Sequence, residues 1–251
     1  MTSSPSGVAV VTGGSGGIGA ATAMLLAERG WAVCVGYRAD AESAGNVVGA
    51  CEALGQVALA VAADVTSPEA VASLFATADQ IGMVRALVNS AGIVEERSRV
   101  DEMTADRLRR MFEVNVIGSF LCAGEAVRRM SSRNGGSGGA IVNVSSAASR
   151  LGSPGEYVDY AASKGAVDTM TLGLAREVAA EGIRVNAVRP GLIHTAIHAR
   201  GGQPDRVERL QAAIPMQRGG RPEEVAEAIA WLCSAEASYV TGALIDVSGG
   251  R

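Results

Sequence analysis

Short apolar runs alternate with longer helical patterns along the whole chain, and this alternation limits the folds that the sequence can adopt. The runs are rich in Val, Ala and Ile and nearly continuous in hydrophobicity, as expected for strands that are covered on both faces. The predicted strands are 8–11, 32–35, 57–61, 86–88, 140–144, 183–188 and 244–247. The predicted helices are 17–29, 40–54, 68–80, 102–131, 156–181 and 222–234, with Pro68 and Pro222 in the first turns of their helices. Repeated βα units predict an α/β protein with one doubly wound, seven-stranded parallel sheet and helices on both faces.

Two segments interrupt this pattern without marking a domain boundary. Residues 133–139 are rich in Gly and Ser and predict a flexible connector before a strand. Residues 192–216 follow a strand without a clear helical pattern and contain both histidines. Because ligands bind beyond the carboxyl ends of strands in this architecture, we expect 192–216 to form a substrate lid. The prediction is one domain over 1–251, with an N-terminal tail at 1–7.

Composition excludes several classes of protein. The net charge is −4 and aromatic residues make up 4% of the chain, which argues against a nucleic-acid partner. No apolar run is long enough to cross a bilayer, and the N-terminus has no signal-peptide pattern. The four cysteines have no metal-ligand spacing, so we expect no metal site and a reducing, cytoplasmic location.

A glycine-rich loop follows the first predicted strand. It reads Thr-Gly-Gly-Ser-Gly-Gly-Ile-Gly over 12–19 and leads directly into a helix. Glycines allow the backbone to approach a phosphate closely, and the helix N-terminus offers free N–H groups to a pyrophosphate. The spacing of Gly13, Gly17 and Gly19 is one residue longer than in the plain dinucleotide fingerprint.

The chain contains a single lysine among 22 basic residues, and this lysine lies four residues after a tyrosine. Residues i and i+4 share a helix face, so Tyr160 and Lys164 are predicted to lie side by side. A neighbouring cation favours the phenolate, so we expect Lys164 to lower the pKa of Tyr160. Such a tyrosine could act as a general acid and base. Tyr157 has Ala161 at the same spacing and is predicted to line the substrate pocket instead.

These motifs together resemble the short-chain dehydrogenase/reductase family. The resemblance includes Asn89-Ser-Ala-Gly92, which has a serine in place of the second Asn of the usual NNAG, and Pro190-Gly191 followed by Thr195. It extends to the C-terminal Val240-Thr-Gly and Val247-Ser-Gly-Gly and covers nearly the whole chain. The sequence looks most like glucose or sugar dehydrogenase-like and 3-oxoacyl reductase-like members. The resemblance implies a Rossmann-type oxidoreductase domain.

The resemblance also implies the roles of four catalytic residues. Tyr160 would exchange a proton with the substrate oxygen while hydride moves to or from the neighbouring carbon. Lys164 would lower the pKa of that tyrosine and bind the nicotinamide ribose, and Asn115 would hold a proton-relaying water. A serine would hold the substrate oxygen. We favour Ser146 over Ser145, but the gap from Ser146 to Tyr160 is one residue longer than is common, so the choice stays open.

The cofactor contacts implied by the resemblance are Gly13, Ser15, Gly17, Ile18, Gly19, Tyr37, Arg38, Asp64, Val65, Asn89, Ala91, Gly92, Tyr160, Lys164, Pro190, Gly191, Ile193 and Thr195. Sites that prefer NAD place an acid at the end of the second strand, whereas this strand ends in Tyr37 and Arg38, with no acid until Asp40. Arg38 could bind a 2′-phosphate. The sequence therefore predicts NADP, with NAD as the alternative, although Gly16 stands where many NADP-preferring relatives have a basic residue.

The predicted function is interconversion of a secondary alcohol and a ketone, with EC class 1.1.1 chemistry on a small molecule. Sugar, 3-oxoacyl, steroid and xenobiotic carbonyl substrates all remain open. The alternative is a dinucleotide-binding sensor or scaffold without turnover. The resemblance further implies a homotetramer built through the long helices at 102–131 and 156–181 and through the C-terminal segment.

Overall fold

The computed structural model describes residues 7–251 and contains one parallel sheet with helices on both faces. The predicted tail at 1–7 lies outside the described residues except for Gly7. Strands run over Val8–Thr12 (β1), Ala32–Tyr37 (β2), Ala58–Ala62 (β3), Val84–Asn89 (β4), Gly139–Val144 (β5), Ile183–Pro190 (β6) and Leu244–Val247 (β7). Their order is β3-β2-β1-β4-β5-β6-β7, and every pairing is parallel. The predicted fold class is confirmed.

The helices connect successive strands. They run over Gly17–Glu28 (α1), Ala41–Ala53 (α2), Pro68–Asp79 (α3), Ala105–Phe112 (α4), Gly118–Met130 (α5), Ala148–Leu151 (α6), Val158–Val178 (α7), Ile197–Arg200 (α8), Arg206–Leu210 (α9) and Pro222–Cys233 (α10). Pro68 and Pro222 are first helical residues, as predicted. The predicted helix 102–131 is instead α4 and α5 joined by a π-helical turn at Glu113–Ile117.

Each face of the sheet carries its own hydrophobic core, because side chains of a strand alternate between faces. Ala9 and Val11 of β1 pack with α1, α2 and α10 on one face. Val8 and Val10 pack with α3, α5 and α7 on the other. Burial on both faces explains why these strands read as continuous apolar runs. Among the described helices, none is both long and apolar enough to cross a membrane.

The sheet has one topological switch point, between β1 and β4. The chain leaves β1 toward β2 on one side and returns from β3 to β4 on the other. Thr12 at the end of β1 aligns with Asn89 at the end of β4. In open α/β sheets the crevice at such a point receives the ligand.

Candidate active site

A cavity of about 820 Å³ opens at the carboxyl ends of the strands, beside the switch point. Its volume falls in the range of small-molecule and cofactor sites. The glycine-rich loop lines one end, and Ser146, Tyr160 and Lys164 line another part of the same cavity. The structure therefore places the predicted phosphate loop and the predicted acid–base group in one space.

The loop after β1 is fixed against the end of β4. The Thr12 hydroxyl accepts hydrogen bonds from the backbone N–H groups of Ser90 and Ala91, both at 3.2 Å. A Cβ added to Gly13 would lie 2.8 Å from the Ala91 Cα, and Gly13 has φ +63°. Only glycine allows this backbone contact, so the loop geometry depends on it.

The N-terminus of α1 is left open toward the cavity. Its N-cap residue, Gly16, makes no side-chain cap, and the first turn contains no acidic residue. By contrast, side chains cap α2, α3 and α4. A Cβ added at Gly16 would meet nothing within 4 Å. The free N–H groups and the helix dipole suit the pyrophosphate of a dinucleotide, so the residues present fit such a cofactor.

Tyr160 and Lys164 lie on one face of α7, as their spacing predicted. The Lys164 Nζ is 5.7 Å from the Tyr160 ring centroid and donates a hydrogen bond to the Val144 carbonyl at 2.8 Å. Lys164 is buried. Burial lowers the pKa of Lys164 to about 8, with Asp168, one turn later, acting in the opposite direction.

The expected lowering of the Tyr160 pKa is not what the structure shows. Burial of the phenol raises the pKa of Tyr160 above its ordinary value, and a hydrogen bond with Ser146 acts to lower it. The Lys164 ammonium donates its hydrogen bond to the Val144 carbonyl. The sequence places the two side chains together, but tertiary burial decides the direction of the shift.

The two serines at the end of β5 have different surroundings. The Ser145 hydroxyl is buried and donates to the Lys164 backbone carbonyl at 3.2 Å. Ser146 is less buried, accepts from the Ala148 N–H at 3.1 Å and lies within hydrogen-bonding reach of the Tyr160 hydroxyl. The stretch between Ser146 and Tyr160 holds α6 and a turn with Ser153 at φ +46°. This geometry favours Ser146 as the residue that faces a substrate oxygen.

Asn115 lies in the π-helical turn and is fully buried. Its Oδ1 accepts from the Ile93 N–H at 2.8 Å, and its Nδ2 donates to the Ile93 carbonyl at 3.0 Å and to the Ser163 hydroxyl at 3.1 Å. A Cβ added to Gly92 would lie 3.3 Å from Asn115 Oδ1 and 3.5 Å from Lys164 Nζ. Asn115 therefore lies beside the predicted catalytic pair without lining the cavity. Single π turns are frequent at functional sites.

The cavity reaches the ends of β2 and β3 at its other side. Arg38 is exposed and borders the cavity with Tyr37 and Asp40. The Asp40 carboxylate caps α2 through the Ser43 N–H at 3.0 Å, and this bond lowers the pKa of Asp40. Asp64 accepts from the Thr66 N–H and hydroxyl at 3.0 and 2.8 Å. The Thr66 N–H is the main cause that lowers the pKa of Asp64, and the Arg38 charge adds to it.

Residues 192–216 cover the cavity from the other side and contain α8 and α9, two short helices that the sequence pattern did not predict. Tyr157 holds this segment: its hydroxyl donates to the Gly201 carbonyl at 3.1 Å and accepts from the Gln203 amide. His198 lines the cavity and its Nε2 lies 2.9 Å from the Ile193 carbonyl. His194 points instead toward Glu208, at 3.7 Å.

Most of the predicted site residues line the cavity. They are Gly13, Ser15, Gly17, Ile18, Tyr37, Arg38, Asp64, Val65, Ala91, Gly92, Ser146, Tyr160, Lys164, Pro190, Gly191, Ile193 and Thr195. Gly19, Asn89 and Asn115 lie behind the lining. A Cβ at Gly19 would approach the Gly13 carbonyl oxygen to 2.3 Å, and Asn89 donates to Asn143 Oδ1 at 2.9 Å within the sheet.

Several lining residues were not predicted from the sequence. Glu156, Arg200, Arg206 and the C-terminal Arg251 all border the cavity. Arg206 is 50 residues from its partner Glu156, and no periodic pattern links two such positions. The irregular composition of 192–216 predicted that this segment borders the site, but it did not identify Arg206 within the segment.

Comparison with known proteins finds similarity along nearly the whole chain. A family model described as Enoyl-(Acyl carrier protein) reductase matches residues 13–251. The Uncharacterized oxidoreductase YgfF of Escherichia coli (strain K12) is 56% identical over 97% of this chain and 99% of its own length. The Cis-4-hydroxycyclohexanecarboxylate dehydrogenase of Sinomonas cyclohexanicum is 45% identical, covering 97% of this chain and 95% of that protein.

A solved structure is similar over nearly the whole chain. It is a short chain dehydrogenase from Burkholderia cenocepacia J2315 in complex with NADP, with a TM-score of 0.88 and 33% sequence identity. The match covers 96% of each chain. Sequence and fold therefore point to the same family.

Proposed function

We propose that this chain, which belongs to the short-chain dehydrogenase/reductase family of oxidoreductases, interconverts secondary alcohols and ketones with NADP(H) and uses Tyr160 as general acid and base. Members of the family act on alcohols or ketones with NAD(P). The specific residues and the choice of NADP(H) are our proposal.

One observation carries the proposal: Ser146, Tyr160 and Lys164 line the same cavity as an uncapped helix N-terminus behind a glycine loop. A dinucleotide bound by its pyrophosphate at α1 would extend along this cavity. The nicotinamide, when bound, supplies or takes the hydride. The chain itself must then exchange a proton with the substrate oxygen, and Tyr160 is the titratable group beside Ser146.

In the direction of reduction, Tyr160 donates its phenolic proton to the carbonyl oxygen as hydride reaches the carbonyl carbon. The Ser146 hydroxyl donates a hydrogen bond to the same oxygen, where negative charge develops in the transition state. Lys164, whose pKa burial brings to about 8, keeps a cation near the resulting phenolate. Asn115 acts beside this group: it holds the turn against Ile93 and supports proton relay from Lys164 to solvent.

Our preference for NADP(H) rests on the end of β2. Arg38 borders the cavity there, and a guanidinium suits a 2′-phosphate. The nearest acid, Asp40, is engaged in capping α2. A solved relative was obtained in complex with NADP, which supports the same choice.

We also propose that residues 192–216 act as the substrate lid of a single domain and that four copies assemble into a tetramer in the cytoplasm. Phe112, Ile117 and Phe120 are exposed along the outer side of the α4–α5 pair, which supports contact through this helix. All four cysteines are free and buried, which suits a reducing compartment.

The test is NADPH and NADH oxidation by purified protein against a panel of ketones, with Tyr160→Phe as the diagnostic variant. We expect faster turnover with NADPH and a loss of at least ~100-fold in Tyr160→Phe, because general acid catalysis contributes this much or more. Tyr239→Phe is the matched control, since Tyr239 is fully exposed. If wild-type protein binds NADPH but no turnover depends on Tyr160, the sensor or scaffold function is favoured instead.

A further inference from the structure

Arg206, the first residue of α9, is a buried cation that lines the cavity. It is 8% exposed, although arginine is seldom buried to this degree. Removing a charge from water is costly unless partners compensate it. The arrangement of those partners therefore indicates what else the guanidinium can bind.

The partners of Arg206 leave part of the guanidinium without a hydrogen bond. Its Nη2 donates to Glu156 Oε2 at 2.6 Å, and its central carbon lies 5.1 Å from the Tyr157 ring centroid. Its Nη1 is buried and has no hydrogen-bond partner among residues 7–251. A buried donor without a partner is energetically unfavourable, so the guanidinium retains capacity for a further acceptor.

The Glu156 carboxylate that pairs with Arg206 also feels the charges of two further arginines. The hydrogen bond from Arg206 lowers the pKa of Glu156, and the charges of Arg206, Arg209 and Arg97 lower it further. One carboxylate therefore faces three guanidiniums. The other acids nearby are partly engaged elsewhere: Asp205 is 4.0 Å from Arg209, and Glu208 faces His194 at 3.7 Å. His198, which burial keeps at a lowered pKa, adds no negative charge.

We propose that Arg206 is the anion-binding residue of the substrate pocket, and that the substrates are hydroxy or oxo compounds bearing a carboxylate. This inference rests on the proposed function, because it places the reacting carbonyl at Tyr160. Tyr157 connects the two points: it is the N-cap residue of α7, three residues before Tyr160, it lines the same cavity, and its ring lies beneath the Arg206 guanidinium. The carboxylate accepts from the Arg206 guanidinium, whose side chain lines the cavity, while Glu156 keeps Nη2 and offsets the cation when no substrate is bound.

The test compares ligands that differ only in charge. Linear oxo acids with one to five carbons between ketone and carboxylate are paired with their methyl esters, and binding is measured by calorimetry with saturating NADP⁺. We expect the wild type to bind the best acid at least ~10-fold more tightly than its ester, as a charge-assisted hydrogen bond predicts. Arg206→Met should abolish this preference. Arg97→Met is the matched control for nearby positive charge, because Arg97 also acts on Glu156 but is exposed and does not line the cavity.

A second variant keeps the proposal testable if Arg206→Met fails to fold. Glu156→Gln removes the competing carboxylate but leaves the guanidinium in place, so the acid preference should rise. Equal binding of acids and esters by wild type, or an equal loss in Arg97→Met, would overturn the proposal. Reduction of the esters distinguishes this failure from failure of the proposed function. Ester turnover needs Tyr160 but not an anion site, so esters that are reduced in a Tyr160-dependent way leave the proposed function intact.

Discussion

Lys164 is a residue whose position the sequence predicts and whose electrostatics it does not. The spacing of four from Tyr160 places both side chains on one helix face. The fold then buries the ammonium beneath Val144, and burial brings its pKa from 10.5 to about 8. The predicted lowering of the pKa of Tyr160 was wrong for the same reason. Burial depends on strands and loops that are distant in sequence, so the local spacing does not reveal it.

This burial leads to a prediction about stability. Because the pKa of Lys164 is lower in the folded state, the folded state binds fewer protons between pH 8 and 10.5, and stability rises with pH in that window. Below pH 8, burying the Lys164 ammonium lowers the free energy of unfolding by its full cost, roughly 3 kcal/mol for this shift. We expect Lys164→Met to abolish turnover yet raise the melting temperature at pH 7 by several degrees, with the gain shrinking from pH 8 to 10.5.

Thermal unfolding from pH 6 to 10 measures this effect. Arg176→Met is the control, because Arg176 is an exposed basic residue on the same helix and should give no such pH dependence. A Lys164→Met protein that is less stable than wild type at pH 7 would show that the hydrogen bond to Val144 outweighs the cost of burying the charge.

At the scale of elements, all seven strands were predictable and several helical details were not. The central strands are apolar runs because both of their faces are covered, so a local pattern is sufficient. The edge strands β3 and β7 are only partly buried, but their runs are also largely apolar. The π turn at Glu113–Ile117 and the helices α6, α8 and α9 depend instead on contacts between distant segments. Asn115, for example, is held by Ile93 and Ser163. Short helices of four or five residues also carry too little periodicity to be recognised.

The contact between α4 and α7 supports a second prediction. Arg107 donates to the Asp159 carboxylate from Nε at 2.8 Å and from Nη2 at 3.3 Å, and the Asp159 side chain is fully buried. Asp159 precedes Tyr160 in the first turn of α7, so this pair fixes the start of that helix. Arg107→Met leaves a buried, unpaired carboxylate, which costs about 3–5 kcal/mol.

Urea unfolding checks this expectation. A second substitution, Asp159→Leu in the Arg107→Met background, should recover much of the lost stability, since it removes the stranded charge. Arg109→Met is the control on the same helix, because its pair with Asp106 is exposed on both sides and should contribute nothing measurable. Equal losses in Arg107→Met and Arg109→Met would show that the buried pair does not hold α7.

At the scale of the whole molecule, one surface of the α4–α5 pair is more apolar than a solvated helix requires. Phe112, Ile117 and Phe120 are 36%, 42% and 54% exposed. They lie on α4, the π-helical turn and α5, which we propose as an assembly surface. Exposed apolar patches of this kind mark interaction sites.

We expect the wild type to elute as a species four times the 25.5 kDa chain mass, and Phe112→Glu combined with Phe120→Glu to give a smaller one. Light scattering after size-exclusion chromatography measures both, with Leu54→Glu at the C-cap of α2 as the exposed control. If the double variant keeps the wild-type mass, the contact lies elsewhere, because two buried, unpaired glutamates would not be tolerated in an apolar interface.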